Sequence, residues 1–482
     1  MTVPPHDNKK RLLMTSNIIE DLKITDIGAN GVSIGRHNNY VIFVKGVVPG
    51  DIVDVQLIRK KKTYSESRVL KIKQLSETRT IPFCSHFEKC GGCKWQMLPY
   101  DKQLFYKQKQ VADQLSRIGG IDVAQINPII ASNKDLFYRN KLEYTFSNRR
   151  WLDNNDAELD KNTRDREGLG FHVEGMFDRI IDIEKCYLQA EPSNAIRNKI
   201  REFTRKEGYN YYNCRSHEGL MRNIIIKNTT IGELMVVVIF AKKEEKLIDD
   251  LMNFIAEEFP QITSLQYVIN TKFNDSIYDL DVILYKGQDY ISEVLDGLRF
   301  KINAKSFFQT NSEQALTLYK KVLEYADIRT NETIYDLYTG TGTIANFIAS
   351  KCKKVIGIES VPEAIEDAKI NSEINNINNT TFFVGDMKNI LNDDFISING
   401  KPDTIILDPP RAGVHDKVIN VIRKAAANKI VYVSCNPATQ ARDISLLTDM
   451  YDVIKIQPVD MFPQTHHVEN IILLTRVKQF VE

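Results

Sequence analysis

No apolar run in the 482 residues approaches the eighteen or so needed for a membrane-spanning helix. The first residues, Met-Thr-Val-Pro-Pro-His-Asp-Asn-Lys-Lys-Arg, lack the apolar core of a secretion signal. Cysteine is scarce: seven residues make neither a dense nor an even disulfide framework. Internal repeats and low-complexity tracts are also missing, which excludes solenoids and disordered chains. The expectation is a cytoplasmic, soluble, multidomain protein with no membrane partner, whose cysteines serve metal binding or catalysis.

What is present is 43% hydrophobic and 26% charged, enough for two to four globular domains. The formal net charge of +1 hides an uneven distribution, because residues 1–75 hold thirteen Lys/Arg against seven Asp/Glu. A basic head on a mildly acidic body points to a polyanionic partner for the head. There, short runs alternate apolar and polar residues at 21–27, 40–44, 51–58 and 65–72, punctuated by glycines. Four or five strands in so short a stretch suit a small closed barrel of the oligonucleotide-binding kind over 15–76. The run Arg59-Lys-Lys-Lys62 reads either as a solvated hairpin tip or as a phosphate-contacting loop. This segment resembles the TRAM domain, an RNA-binding barrel attached to RNA-modifying enzymes.

Cys84, Cys90 and Cys93 then follow with C-x5-C-x2-C spacing, the mark of a metal or cluster knot. Cys186 is the best candidate for a fourth ligand, with His86 a lesser zinc substitute. Zinc and a [4Fe-4S] cluster both accept four thiolates, so spacing leaves the two open. Residues 77–300 read as a central α+β domain with a helix over 100–118, a strand over 137–146, and further strands at 221–227, 233–240 and 264–270. The charged stretch 153–167 reads as a mobile hairpin tip.

From Thr333 strands and helices alternate, which predicts a doubly wound, Rossmann-like α/β domain over 301–482. Asp336-Leu-Tyr-Thr-Gly-Thr-Gly342 follows a strand and opens a helix, as a nucleotide-type ligand requires. Three successive strand ends carry acids, Glu359, Asp386 and Asp408, with Glu359 placed for ribose hydroxyls. The strand Ile430–Val433 stops at Ser434-Cys-Asn-Pro437 and leaves Cys435 at its carboxyl end. A glycine loop, acidic strand ends and a thiol on one edge point to group transfer, and the pattern is similar to that of S-adenosylmethionine-dependent methyltransferases.

The full set resembles the RNA (uracil-5-)methyltransferase family. It includes the barrel, the cysteine knot, Phe307-Phe-Gln-Thr-Asn311, Asp336-Leu-Tyr-Thr-Gly, Asp408-Pro-Pro-Arg-Ala-Gly413, Ser434-Cys-Asn-Pro437 and Asp460-Met-Phe-Pro-Gln-Thr-His-His-Val-Glu469. The resemblance implies that Gln309, Tyr338, Glu359 and Asp408 bind S-adenosylmethionine, that Cys435 is the nucleophile and Glu469 the base, and that the knot holds a [4Fe-4S] cluster rather than zinc. Thr343 departs from the Asn that ribosomal members often carry. The barrel and knot together look more like the 23S rRNA branch than the cluster-free tRNA enzymes, so rRNA is the expected partner, tRNA the alternative, and a monomer the expected state. RNA cytosine-C5 methylation would need a cysteine in the Asp408-Pro-Pro-Arg motif, and amino methylation an aromatic where Arg411 stands. A noncatalytic RNA-binding iron-sulfur protein would leave Cys435 and the acidic strand ends without a purpose.

Overall fold

The structure, a computed structural model, describes residues 17–152 and 165–477. Most of the charged stretch read as a hairpin tip, 153–164, lies outside them. Two compact units emerge. One comprises Met1–Glu88, Cys93–Tyr106 and Gln464–His466; the other comprises Lys89–Gly92, Lys107–Pro463 and His467–Glu482.

In the first unit β1 (Ile18–Ile27), β2 (Ser33–His37), β3 (Tyr40–Val44), β4 (Ile52–Lys60) and β5 (Tyr64–Gln74) form a closed barrel in the order β1-β2-β3-β5-β4. Alternation explains it: Leu22, Ile24, Ile42, Val44, Val53 and Val55 point inward and are fully buried, each stabilising the fold by about 1.5–3 kcal/mol. The parallel pairing of β3 with β5, from Val41–Tyr64 to Val44–Ser67, closes the ring and leaves no open edge. Arg59 to Lys62 are all exposed at the β4–β5 turn, a position compatible with either reading of that run. Trp95 is buried against Ile27, Val48, Met97 and Leu98, and its indole N–H donates to the Gly31 carbonyl at 3.3 Å.

The second unit carries most of α1 (Tyr100–Gly119) and a seven-stranded sheet. It contains β6 (Lys141–Ser147), β7 (Gly168–His172), β8 (Ile180–Asp182), α2 (Ser193–Lys206), β9 (Met221–Asn228), β10 (Leu234–Phe240), α3 (Glu245–Glu258), β11 (Ser264–Ile269) and β12 (Val282–Gly287), with strand order β12-β11-β10-β9-β6-β7-β8. β9 and β10 are buried on both faces, β10 as its unbroken apolar run requires, β9 with Arg222 and Lys227 among the buried residues. Helices α2 and α3 contact each other through stacked Phe203 and Phe254, 4.3 Å between ring centres. The strand expected from Phe137 starts only at Lys141. Phe137 sits at φ +54, which extended backbone does not allow.

After the hairpin β13 (Tyr290–Leu295) and β14 (Leu298–Asn303) come α4 (Ser312–Ala326), β15 (Thr333–Leu337), α5 (Thr343–Ala349), β16 (Lys354–Glu359), α6 (Pro362–Ile374), β17 (Thr380–Val384), α7 (Met387–Ile390), α8 (Asp393–Asn399), β18 (Thr404–Leu407), α9 (Asp416–Ala425), β19 (Lys429–Ser434), α10 (Pro437–Ser445), β20 (Tyr451–Val459) and β21 (Glu469–Arg476). The sheet order is β17-β16-β15-β18-β19-β21-β20. Its first five strands are parallel, and β21 enters antiparallel between β19 and β20. Helix α10 stops at Ser445, and just beyond it Arg423 donates to the Leu446 carbonyl and pairs with the Asp449 carboxylate. One apolar cluster joins both sheets of this unit, from Ile225 and Val237 through Phe300 and Leu318 to Val431 and Ile471. Among the described residues no helix is long and apolar enough to cross a membrane.

Inside this unit Lys107 and Asp460 are both fully buried, with the ammonium 2.5 Å from the carboxylate and 3.0 Å from the Phe462 carbonyl. Lys107→Ala leaves Asp460 buried without its cation. Denaturant unfolding should show a loss of about 3–5 kcal/mol, whereas a loss under about 1 kcal/mol would contradict this account.

Candidate active site

Parallel strands on either side of a chain reversal leave a crevice at their carboxyl ends. Here the reversal falls at β15, which is flanked by β16 on one side and β18 on the other. The loop after β15, Tyr338-Thr-Gly-Thr-Gly342, lines that crevice. Gly342 takes φ +72, and a Cβ there would stand 2.8 Å from the Ala368 methyl, so only glycine lets the chain turn into α5 so close to α6. Tyr338 holds φ +67 without being glycine, a strained backbone of the kind that clusters at ligand sites. Its phenol is half-buried, and burial pushes its pKa up to about 12.

Glu359, at the end of β16, accepts from the Ser360 and Val361 amides at 2.6 and 3.1 Å through one oxygen. The other oxygen receives only a long 3.3 Å bond from the Gly340 amide, which leaves it room for a hydroxyl donor. Asp336 is fully buried, takes the Thr339 hydroxyl at 2.5 Å, and is raised by burial to about 7. Gln309 is half-buried after β14, with its carbonyl held by the Asn140 amide at 2.9 Å. Asp386 is exposed; it caps α7 through the Lys388 amide at 3.2 Å and pairs with the Lys388 ammonium at 2.8 Å.

Asp408, Cys435 and Glu469 converge. Asp408 follows β18 and Cys435 follows the adjacent β19. Because β21 runs the other way, its first residue lies at the same edge: Ser434 pairs with Asn470, and Cys435 and Glu469 lie one step beyond that pair. Desolvation is the largest effect on all three groups. It raises Asp408 to about 7, Cys435 to about 11 and Glu469 well above the carboxylate range. The charge of Asp408 adds to this at Cys435 and Glu469, that of Glu469 at Cys435 and that of Asp336 at Asp408, while the nearby Arg411 guanidinium opposes it at Cys435 and Glu469. Among the described residues nothing donates a hydrogen bond to the Asp408 carboxylate, although solvent still reaches it. An undonated carboxylate beside a strained glycine loop suits a cationic nucleoside, so these residues fit S-adenosylmethionine.

The site also has supports that the sequence reading missed. Lys227 is buried and donates to the carbonyls of Asn303, Ala304 and Ser306 at 2.8, 3.0 and 3.2 Å, fixing the chain just before Phe307 and Gln309. Tyr319 on α4 is buried in the field of Asp408, Asp336 and Glu469, which with desolvation keeps its phenol protonated. Lys227 lies in an apolar strand and Tyr319 on a helix, and neither carries a motif that marks it. The cysteine knot fares differently. Cys84 and Cys93 belong to one unit, Cys90 and Cys186 to the other, and among the described residues no group of three or more His, Cys, Asp or Glu is placed to hold a metal ion. The expected cluster therefore has no support from this arrangement.

Residues 227–477 match the family described as tRNA (Uracil-5-)-methyltransferase, and residues 19–70 match the TRAM domain. The chain belongs to the tRNA (uracil-5-)methyltransferase family. A relative from Bacteroides thetaiotaomicron, called an uncharacterized RNA methyltransferase, is 54% identical over 93% of this chain and 99% of its own length. Another so called, from Chlorobaculum tepidum, is 37% identical over 95% of this chain and 97% of its own. The solved structure of the Pyrococcus abyssi tRNA (uracil-54, C5)-methyltransferase in complex with S-adenosyl-L-homocysteine is 28% identical with a TM-score of 0.73, covering 95% of this chain and 100% of its own. The chain is thus an S-adenosylmethionine-dependent RNA (uracil-5-)methyltransferase with an N-terminal TRAM-type barrel.

Asp336 and Asp408 have folded-state pKa values above the ordinary carboxyl range, so the folded protein favours their neutral forms. Their contribution to stability is full below about pH 4 and is lost as pH rises through about 7. Calorimetry of the ligand-free protein should show the thermal midpoint falling between about pH 5 and about pH 7.5, with a shallower fall in Asp408→Asn. An identical profile in that variant would remove Asp408 from the account.

Proposed function

We propose that the enzyme methylates C5 of a uridine through a covalent adduct on Cys435, with Glu469 as the base. The observation that supports this most is the pair itself, a thiol and a buried carboxyl one step beyond the same strand pair, beside Asp408. C5 of uracil is too weakly nucleophilic to take a methyl group unaided. The Cys435 thiolate adds to C6, forming an S–C6 bond and pushing the ring electrons toward C5 and O4. Burial holds the Cys435 thiol protonated in the absence of ligands and the Glu469 and Asp408 carboxyls reinforce it, while the nearby Arg411 charge favours the thiolate. S-adenosylmethionine, when bound, supplies the methyl group and a positive charge. We assign Asp408, Gln309, Tyr338 and Glu359 to holding it, with Asp386 at the margin. Glu469 then takes the C5 proton, and the electrons of that C–H bond restore the C5–C6 double bond and expel the Cys435 sulfur.

We further propose 23S rRNA as the substrate, supported by the basic barrel, with a monomeric enzyme acting in the cytoplasm. The likeness to a tRNA (uracil-54, C5)-methyltransferase favours tRNA as a second reading. Mass mapping of rRNA and tRNA from a deletion strain separates the two by which one loses 5-methyluridine. A [4Fe-4S] cluster on Cys84, Cys90, Cys93 and Cys186 rests on their spacing and on the family resemblance, and takes no part in the chemistry. Anaerobically purified protein is expected to be brown with about four irons per chain; stoichiometric zinc without iron overturns the assignment.

The two catalytic roles separate by where each variant stops. Cys435→Ala should lower turnover by roughly 10⁴-fold or more and form no adduct. Glu469→Gln leaves addition and methyl transfer open but keeps the C5 proton, so elimination is blocked. A denaturing gel with labelled RNA should show a shifted protein–RNA band for Glu469→Gln and none for Cys435→Ala. Wild-type turnover in Glu469→Gln would make another group the base.

A further inference from the structure

Away from the crevice, the loops at one end of β9, β10 and β11 enclose a cavity of about 260 Å³, lined by Tyr212, His217, Glu218, Lys242, Thr271 and Phe273 among others. His217 and Phe273 stack with ring centres 4.0 Å apart and planes 26° from parallel, and Phe273 is 77% exposed. The turn that carries Phe273 is pinned by a buried cation. The buried Arg222 guanidinium donates to the carbonyls of Asn270, Lys272 and Asn274 at 2.8, 2.5 and 3.0 Å and to the Asp275 carboxylate at 2.8 Å, so one cation fixes both sides of the Phe273 turn. The same guanidinium lies over the Tyr212 ring at 4.3 Å, and the Tyr212 hydroxyl is 2.9 Å from His217 Nδ1. Arg222 thereby ties both walls of the cavity together. His217 adopts φ +59, and Gly219 adopts φ +112 where a Cβ would lie 2.5 Å from the Tyr211 carbonyl, so the second wall is a strained turn.

We propose that this cavity is an accessory RNA site, in which an unpaired base of the substrate outside the methylated uridine stacks on the Phe273–His217 platform. The inference rests on the RNA-methyltransferase reading and extends it to a second point of contact. A pre-formed aromatic face is what an unstacked base requires, and such stacking tolerates any base. The rim offers acceptors and donors for a base edge: the Glu218 carboxylate, the Lys242 ammonium, the Thr271 hydroxyl and the outer nitrogen of His217. β9 connects the two places. Its first residue, Met221, adjoins the cavity turn, and Lys227 at its far end fixes the chain before Gln309. Met221 to Lys227 spans roughly 20 Å along the strand, a length that a few nucleotides of extended RNA can follow.

The test uses the full-length enzyme and deproteinised RNA from a strain lacking it. Phe273→Ala should raise the Kd for this RNA about tenfold, equivalent to about 1.4 kcal/mol, and raise KM more than it lowers kcat. Phe273→Trp should restore affinity, and its added fluorescence, above that of Trp95 and Trp151, should be quenched by RNA but not by S-adenosylhomocysteine. Unchanged far-ultraviolet dichroism and S-adenosylhomocysteine affinity exclude misfolding as the cause. RNA affinity in Phe273→Ala equal to wild type overturns the proposal, including where a protein partner is lost instead. Absence of methyl transfer by the wild-type enzyme would instead count against the family chemistry, so the two failures are distinguishable.

Discussion

Everything at the candidate active site depends on one electrostatic constraint: three acidic groups are partly or wholly desolvated side by side. Asp408, Cys435 and Glu469 each resist ionisation there, and each ionisation makes the others harder. Like-charged groups in a shared site divide protons between them, so the empty enzyme rests with the thiol protonated. Arg411 is the one cation that opposes this, and it is exposed, so water weakens its pull. If S-adenosylmethionine binds beside Asp408 as proposed, its positive charge also opposes this, and formation of the Cys435 thiolate is then linked to occupancy of the crevice.

The sheet makes this arrangement possible through a change of strand direction. Parallel strands deliver only their carboxyl ends to the crevice, so a residue preceding a strand would lie at the opposite edge. Insertion of β21 antiparallel beside β19 reverses that rule for one residue and brings Glu469 to the step beyond Ser434–Asn470. The approach to β21 is fixed as well, since Lys107 and Asp460 form their buried pair just upstream of it. Gln314 donates to the Asp460 carbonyl at 2.9 Å, which ties this approach to α4, the helix that also carries Tyr319.

Much of this was legible in the residues and some was not. Strand ends marked by Gly, Pro or Asn, such as Asp408-Pro-Pro and Ser434-Cys-Asn-Pro, announced themselves because those residues cannot continue a strand, and the structure ends β18 and β19 there. The alternating barrel strands were readable for the same local reason. Helix α2 and the strands β7, β8 and β12 to β14 escaped; the strands are short, three to six residues each, too brief for a period to stand out. Tertiary pins escaped altogether. Nothing around Lys227 or Arg222 distinguishes a lysine or arginine that will end up buried against carbonyls from one that faces solvent.

Those two pins show what a motif search omits. Both residues belong to β9, and both are buried. A buried cation must find acceptors close by, and backbone carbonyls of irregular chain are the acceptors that a sheet has left unsatisfied at its ends. At one end of β9 the carbonyls belong to the segment before Gln309; at the other they belong to the turn that presents Phe273. Each cation thus turns a loop, which would otherwise sample many conformations, into part of the sheet's rigid frame. Loops that must meet a ligand in one geometry are where such rigidity has a use, because a chain ordered in advance loses less entropy on binding. The burial of two basic residues on a single strand therefore fixes two loops, the segment before Gln309 and the turn that carries Phe273.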